Sequence, residues 1–168
     1  MHRYHAIELL ATDLLGGSTR PWQVRAVRDD GAIVVVVVKL YTTQHVEQYQ
    51  PIAKELYGYG LAESFGLKAP AFGLIELGKD FVATLSQTDR LRLKDTPPGW
   101  KFAVEWIENA SVVDMAHLSR SVFNAYEAPL VYAYDHVVWN GDRKFEKPNL
   151  LVNEHELILI DHEMCFPN

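Results

Sequence analysis

Cysteine is nearly absent from the 168-residue chain, which carries Cys165 alone. A single cysteine excludes a disulfide within the chain and a zinc module built from several cysteines, and it suits a reducing compartment. No run of about 20 apolar residues is present, so the sequence predicts no membrane-spanning helix. The first residues lack a basic flank followed by a long apolar core, which predicts no signal peptide. Together these absences lead to the expectation of a cytoplasmic protein.

Positive charge is also scarce, because 16 lysines and arginines face 22 aspartates and glutamates, giving a formal net charge of −6. Proteins that bind DNA or RNA usually present a basic surface to the phosphates, so this balance argues against direct nucleic-acid binding. The hydrophobic fraction of 48% and the charged fraction of 23% are ordinary for a folded protein. The length suits one domain or two small lobes.

The first third of the sequence has the patterns of β-strands. Strands are predicted over residues 6–11, 22–27 and 33–38, with the Asp30-Gly31 pair forming a hairpin turn between the last two. The third segment is a run of six β-branched residues, which favours a strand buried on both faces.

The pattern then becomes helical over about residues 46–65, with Ile52, Leu56 and Tyr59 on one apolar stripe. Beyond this helix the sequence predicts strands over 71–77, 80–85 and 101–107, a polar linker over 88–99, helices over 111–126 and 130–139, and a short hairpin of 150–153 with 157–160.

The residues best suited to chemistry lie near the carboxyl end of the chain. Asp142 and Asn149 lie in a polar loop, and Asp161 follows a short apolar strand. Hard cations such as magnesium prefer oxygen ligands of this kind, and protein kinases hold magnesium on ATP with such an aspartate and asparagine. The alternative is that Asp142 and Asn149 only shape turns.

Two further features belong to the first half. Lys39 closes a strand, from which it could point at nucleotide phosphates with Glu55, or failing that Glu63, as its acidic partner; alternatively it only extends into solvent. The turn at Gly16, Gly17 and Ser18 would let backbone amides approach a phosphate. It is not a Walker motif, and an ordinary strand connection would also explain it.

These features follow one another in the order found in protein kinases, and at this point the sequence resembles a known family. Residues 54–70, 140–151 and 159–166 resemble the helix, the catalytic segment and the metal-binding segment of HipA-like kinases. The Asp142-Arg143 pair and the strand-end Asp161 also resemble features of phosphatidylinositol kinases. The resemblance spans roughly residues 14–166.

The resemblance implies an α+β, two-lobed, protein-kinase-like fold that uses ATP and Mg²⁺. The first lobe, 1–107, would be an antiparallel β-sheet with one helix, and the second, 108–168, a small and mainly helical C-lobe. The implied roles are catalysis for Asp142, Lys39, Glu55 and Lys144, metal binding for Asn149 and Asp161, and nucleotide binding for Gly16, Gly17, Ser18, Val37, Lys39, Glu105, Ile107, Leu151 and Ile160.

The sequence departs from the family pattern in three places, and the first is Lys144, which replaces a histidine often found two residues after the aspartate. Asn149 lies further from Asp142 than in ordinary protein kinases, where the residue at the position of Lys147 faces the metal, so the choice between Asn149 and Lys147 stays open. The sequence also stops soon after Asp161, which leads to the expectation of a shortened C-lobe that a partner chain could complete.

Three functional hypotheses follow. The leading one is an ATP- and magnesium-dependent kinase acting on a serine or threonine hydroxyl, with a protein as substrate. The alternative is a catalytically degenerate module that binds a nucleotide and acts through a partner protein. A third is a metal-dependent hydrolase using Asp142 and Asp161, which leaves Lys39 without a role.

Overall fold

A computed structural model describes residues 1–14, 19–116, 128–153 and 156–167 of the chain. Its elements, in chain order, are β1 (His2–Ala11), β2 (Trp22–Arg28), β3 (Ile33–Lys39), α1 (Thr43–Tyr49), α2 (Pro51–Ser64), β4 (Phe72–Glu76), α3 (Lys79–Thr84), α4 (Gln87–Lys94), β5 (Lys101–Glu105), β6 (Ser111–Val112), α5 (Ala128–Val138), β7 (Leu150–Asn153) and β8 (Glu156–Leu159). Within the described residues, no helix is long and apolar enough to span a lipid bilayer.

The chain forms two compact units. The first contains Met1–Ile52 and Ala71–Trp106, and the second contains Ala53–Pro70 and Ile107–Asn168. This division differs from the predicted lobes, 1–107 and 108–168, in the place of residues 53–70. Most of α2 therefore belongs with the second unit, in which the acidic and amide side chains of the carboxyl-terminal segments also lie.

The strands of the first unit form a closed barrel in the order β1-β2-β3-β5-β4. The sheet-rich first half and the α+β class are confirmed, but the predicted antiparallel sheet is wrong in one respect, because β1 and β4 run parallel and close the barrel. Two register shifts in the β1–β2 ladder explain the closure, since bulges bend a strand and increase its twist. Gly73 is required at the closing seam, where a Cβ would lie 1.9 Å from the His2 carbonyl oxygen.

The barrel interior is apolar and well filled. Its buried side chains include Tyr4, Trp22, Val24, Ala26, Val36, Val38, Ile75 and Ala103. In β3, Val36 and Val38 are fully buried whereas Ile33 is 68% exposed. The prediction that this strand is buried on both faces is therefore wrong, because alternate side chains of a strand point to opposite faces and only one face of β3 lines the core.

The first unit holds more than the single predicted helix. The helix predicted over 46–65 is divided into α1 and α2, because Gln50 adopts a left-handed conformation at φ 51° and Pro51 has no N–H to continue the helix. Residues 80–85 form α3 rather than a strand, with Asp80 in its first turn. The predicted linker over 88–99 contains most of α4, whose amino end is capped by the Ser86 hydroxyl.

The second unit combines α2, α5 and the three-stranded sheet β6-β7-β8. The predicted hairpin is confirmed as β7 and β8, and the predicted helix 130–139 is confirmed as α5. The prediction of a helix from Ser111 is wrong, since Ser111 and Val112 pair with β7 as β6, and residues 117–127 lie outside the described residues. The core packs Ala62, Val131, Tyr134, Val138, Leu150, Leu159 and Cys165 together.

Candidate active site

The polar loop over 140–149 begins where α5 ends, and backbone contacts fix its first turn. Trp139 has a positive φ of 53°, which turns the chain out of the helix. The Asn140 N–H donates to the Asp135 carbonyl oxygen at 2.8 Å. The Asn140 side chain is buried, and its Oδ1 accepts a hydrogen bond from the Asp142 N–H at 3.2 Å. Asp142 is therefore held at a defined place just beyond the helix end.

The Arg143 guanidinium holds this loop from inside the second unit. Its Nε pairs with the Asp135 carboxylate at 2.9 Å, and both side chains are largely buried, with 6% and 14% exposed. Its Nη1 donates to the carbonyl oxygens of Pro148, at 3.2 Å, and of Asn149. Burial raises the pKa of Asp135, and the positive charge of Arg143 opposes that rise. One side chain thus ties the helix end to the far end of the loop.

Lys147 connects the two aspartates that the sequence predicts as functional. Its Nζ lies 2.5 Å from Asp142 Oδ2 and 3.6 Å from Asp161 Oδ2. Asn149 approaches the same Asp142 oxygen, with its Nδ2 at 3.4 Å. The structure therefore brings Asp142, Asn149 and Asp161 into one neighbourhood, with the Lys147 ammonium between the two aspartates.

Lys147 carries a positive charge in this setting. Burial favours its neutral form, but the hydrogen bond to Asp142 and the charges of Asp161 and Asp142 outweigh burial and raise the pKa of Lys147. A tight turn fixes its backbone, since the Lys144 N–H donates to the Lys147 carbonyl oxygen at 3.0 Å and the Lys147 N–H donates back at 3.2 Å. This turn accounts for the long spacing between Asp142 and Asn149.

Asp161 itself follows β8 in a left-handed conformation, at φ 64°. Aspartate adopts this conformation more readily than most residues other than glycine, so Asp161 suits the turn at this position. The Ile160 N–H donates to the Asn149 carbonyl oxygen at 3.1 Å, so the segment before Asp161 is bonded to the end of the loop. Asn149 also has a positive φ, at 48°.

Glu55 on α2 extends the acidic group around Asp161. Its side chain is fully buried, and its Oε2 accepts a hydrogen bond from the His162 N–H at 2.9 Å. One ligand atom from each of Glu55, Asp161 and Glu163 lies within 4.8 Å of the other two. Gly58, one turn along α2, permits this approach, because a Cβ there would lie 2.4 Å from the His162 Cβ.

Several predicted nucleotide residues lie in the first unit. Lys39 ends β3 and is half-buried, and Val37 pairs with Val104 in the barrel. The Glu105 carboxylate accepts hydrogen bonds from Tyr4, at 3.2 Å, and from Arg28, at 2.9 Å. The Glu105 N–H donates to the Ala71 carbonyl oxygen, so pairing with an adenine edge would fall to its own carbonyl oxygen.

The remaining predicted residues are placed as follows. Leu151 and Ile160 are half-buried on or beside β7 and β8, Ile107 is half-buried after β5, and the Lys144 side chain is exposed. Gly16, Gly17 and Ser18 lie outside the described residues.

Three contributions were missed by sequence reasoning. The sequence offers Lys147 only as a rival to Asn149 at the metal, whereas the structure places its ammonium between two aspartates. The sequence shows Arg143 only as part of a motif and does not indicate its buried pairing with Asp135. Glu163 was not assigned as a ligand, although its place two residues after Asp161 was a usable signal.

Comparison with known proteins identifies the family to which the chain belongs. The family model for HipA-like kinases matches residues 7–168, nearly the whole chain. The chain belongs to the HipA-like kinase family. This confirms the resemblance first seen in residues 54–70, 140–151 and 159–166. A search of curated proteins found no match.

Kinases use a nucleotide and a divalent metal ion, and the donors of this HipA-like kinase fit such an ion. The side chains gathered at Asp161 offer carboxylate oxygens from Glu55, Asp161 and Glu163, and the side chain of Asn149, which approaches Asp142, also carries an amide oxygen. Magnesium prefers hard oxygen ligands and needs few from the protein when phosphates supply others. The chemistry of this donor set therefore suits Mg²⁺ better than a softer metal.

Proposed function

We propose that the chain is an ATP- and magnesium-dependent phosphotransferase that acts on a serine or threonine hydroxyl, with a protein as its substrate. The observation that carries the proposal is a chain of contacts in which Asn149 approaches Asp142 and the Lys147 ammonium links Asp142 to Asp161. Membership of the HipA-like kinase family supports phosphotransfer. The three residues also follow one another along the chain in the order in which protein kinases carry their catalytic aspartate, metal-binding asparagine and metal-binding aspartate.

Asp142 is the catalytic residue in this proposal. Its two described side-chain contacts both fall on Oδ2, and we assign Oδ1 to the acceptor hydroxyl. The hydroxyl oxygen forms a bond to the γ-phosphorus, the bond from that phosphorus to the β,γ-bridging oxygen breaks, ADP leaves, and the hydroxyl proton passes to Asp142. The protein takes little part in the bond changes, so its main contribution is alignment. Holding the hydroxyl in line with the γ-phosphorus lowers the activation barrier, because the entropy of bringing the two groups together is lost on binding.

Asn149 and Asp161 are the residues that would hold magnesium, with Glu163 as a further oxygen donor. The ion would supply positive charge that offsets the charge of the transferred phosphoryl group. The chain's contribution is to hold these oxygens in place. Two features do so: the left-handed conformations of Asn149 and Asp161, and the backbone hydrogen bond between Ile160 and Asn149.

The other nucleotide assignments come from the family resemblance and remain predictions. Lys39, held in place by Glu55, would contact the nucleotide phosphates. The turn at Gly16, Gly17 and Ser18 would contact the same phosphates. The adenine would be contacted by Val37, Glu105, Ile107, Leu151 and Ile160. Lys144 was predicted to stabilise the transferred phosphoryl group, but Lys147 is the lysine that contacts Asp142, and we transfer that role to it.

The test is phosphate transfer by the purified full chain with Mg²⁺ and ATP. We expect Asp142→Asn and Asp161→Asn each to lower ADP release and autophosphorylation by about 100-fold or more, since a positioned base contributes roughly 10²–10⁴-fold. The modified residue, identified by mass spectrometry, should be a serine or threonine. Chelation of Mg²⁺ should abolish transfer by the wild-type chain.

Glu146→Gln is the matched control, because it removes a carboxylate from the same loop at an exposed position. Its rate should stay within about twofold of the wild-type rate, as expected for an exposed charge. Equal rates for the wild type and both aspartate variants would refute the phosphotransfer proposal. ATP binding in calorimetry without any transfer would instead favour the nucleotide-binding module that acts through a partner.

A further inference from the structure

Lys147 occupies an unusual electrostatic position for a loop lysine. Its ammonium lies within 4 Å of two carboxylates, at 2.5 Å from Asp142 and 3.6 Å from Asp161. Both carboxylates are mostly screened from solvent, with 23% and 20% of their side chains exposed. Two partly buried negative charges repel each other strongly unless a cation lies between them. Lys147 supplies that cation from within the chain.

The position of Lys147 is built into the loop. The reciprocal backbone hydrogen bonds between Lys144 and Lys147 close a tight turn, and this turn returns the Lys147 side chain toward Asp142. Lys144, at the other end of the turn, is exposed. The turn therefore selects one of its two lysines for the aspartates.

Lys147 is also able to leave. Its side chain is 44% exposed, more than either aspartate, and a lysine ammonium sits on a flexible stem of four carbons. A divalent ion bound at Asp161 would compete with the ammonium for that carboxylate, because two cations held at one carboxylate repel each other. Moving the Lys147 ammonium away from Asp161 costs little interaction energy, because this is the longer of its two contacts. The shorter contact, with Asp142, can remain.

We propose that Lys147 is an internal counter-ion of the metal site, which holds Asp142 and Asp161 in place without metal and is displaced from Asp161 when a divalent cation binds. The inference rests on the proposed function, because that function assigns Asp161 to the metal. It implies that metal affinity without nucleotide is weakened by the chain itself. Metal binding is then favoured when nucleotide phosphates add ligands for the ion and offer Lys147 another anion.

The first test measures Mn²⁺ binding to the full chain without nucleotide, by electron paramagnetic resonance of the free ion. Lys147→Met should bind Mn²⁺ about fivefold to tenfold more tightly than the wild type, because the internal competitor is gone. Lys144→Met, with the same charge change in the same turn, should stay within about twofold. Lys147→Arg keeps the cation and should also remain near the wild type.

The site of the gain is tested with Asp161→Asn. If Lys147 competes at Asp161, the double variant Lys147→Met/Asp161→Asn should bind Mn²⁺ no more tightly than Asp161→Asn alone. Unchanged or weaker Mn²⁺ binding by Lys147→Met, or an equal gain by Lys144→Met, would overturn the counter-ion role.

A second measurement uses the wild-type chain and does not depend on the folding of any variant. Acetylation by an N-hydroxysuccinimide ester, followed by mass spectrometry, compares Lys147 with Lys144 as Mg²⁺ is added. Lys147 labelling should increase several-fold while Lys144 labelling stays constant, and constant labelling of both would contradict displacement. The two proposals fail separately, because loss of the Mn²⁺ effect leaves phosphotransfer intact, whereas absence of phosphotransfer leaves the Mn²⁺ effect intact.

Discussion

Arg143 is the residue on which the geometry of the candidate site most depends. It neutralises Asp135 and donates to backbone carbonyls at the far end of the loop that contains Asp142. A planar guanidinium can make these contacts at once, and a lysine ammonium on the same stem cannot. The hydrogen bonds of one guanidinium group therefore hold the two ends of the loop together.

We expect Arg143→Ala to lower the free energy of unfolding by about 3–5 kcal/mol, because it leaves the largely buried Asp135 carboxylate without its partner. Arg143→Lys should recover only part of this loss. Urea denaturation of the full chain is the measurement. Arg25→Lys is the control, since Arg25 pairs with Glu8 at an exposed position and its change should cost less than about 1 kcal/mol. A loss for Arg143→Ala as small as that of the control would show that Asp135 does not need the pairing.

The residues of the site were predictable to different degrees. The sequence indicates Asp142, Asn149 and Asp161 as candidates because they are polar residues near short apolar strands, and they follow one another in the order found in protein kinases. Lys147 could not be assigned from spacing, since its side chain reaches Asp142 only through the turn that Lys144 and Lys147 close. The buried Asp135 partner of Arg143 lies on another element, and no local pattern connects them.

At the scale of elements, α2 shows how one missing methyl group positions the site. Gly58 faces His162, and any Cβ at that position would lie 2.4 Å from the His162 Cβ. Gly60, two residues later in the same helix, has open space where its Cβ would be. Within α2, glycine is therefore required only at position 58, where it allows the close approach of α2 to the segment after β8.

Alanine at these two positions should have opposite effects on stability. Gly58→Ala should lower the free energy of unfolding by about 1–3 kcal/mol through overpacking against His162. Gly60→Ala should raise it by up to about 1 kcal/mol, because alanine is the better helix former. Thermal and urea denaturation of both variants provide the comparison. A neutral or stabilising Gly58→Ala would mean that α2 and the His162 backbone readily move apart.

The errors in predicting elements have local physical causes. The pattern of residues 80–85 alternates poorly, and the capping position of Gly78 with Asp80 in the first turn makes a short helix there. Residues 46–65 are mostly helical, as predicted, but the chain breaks the helix at Gln50 and Pro51. The apolar stripe gives no sign of this break, because it continues on both sides of it. Barrel closure was not predictable from patterns, since the parallel pairing of β1 with β4 joins segments far apart in sequence.

On the scale of the whole molecule, each unit has its own apolar core. Ile75 is fully buried in the core of the first unit, and Leu159 is fully buried in the core of the second. Cys165 belongs to the second core and is also fully buried. Burial raises the pKa of the Cys165 thiol to about 12, so at neutral pH almost none of it is the reactive thiolate.

Cys165 should therefore report the opening of the second unit. In native buffer the thiol should react with dithionitrobenzoate far more slowly than a free thiol, because reaction requires exposure. Leu159→Ala should accelerate labelling by about 30-fold or more, since such a truncation costs about 2–5 kcal/mol and each 1.4 kcal/mol is a factor of ten in the open population. Labelling should be followed at several reagent concentrations.

Ile75→Ala is the matched control, because it removes a side chain of the same volume from the other core. If the two cores unfold separately, Ile75→Ala should leave Cys165 labelling within about threefold of the wild type, although it lowers the overall midpoint of denaturation. Equal acceleration by both variants would show that the units unfold as one cooperative body. Rapid labelling of the wild type, unaffected by Leu159→Ala, would mean instead that the segment carrying Cys165 opens locally. Neighbouring Asp161 would then be held in place by the loop contacts of Asn149 and Lys147 rather than by the core.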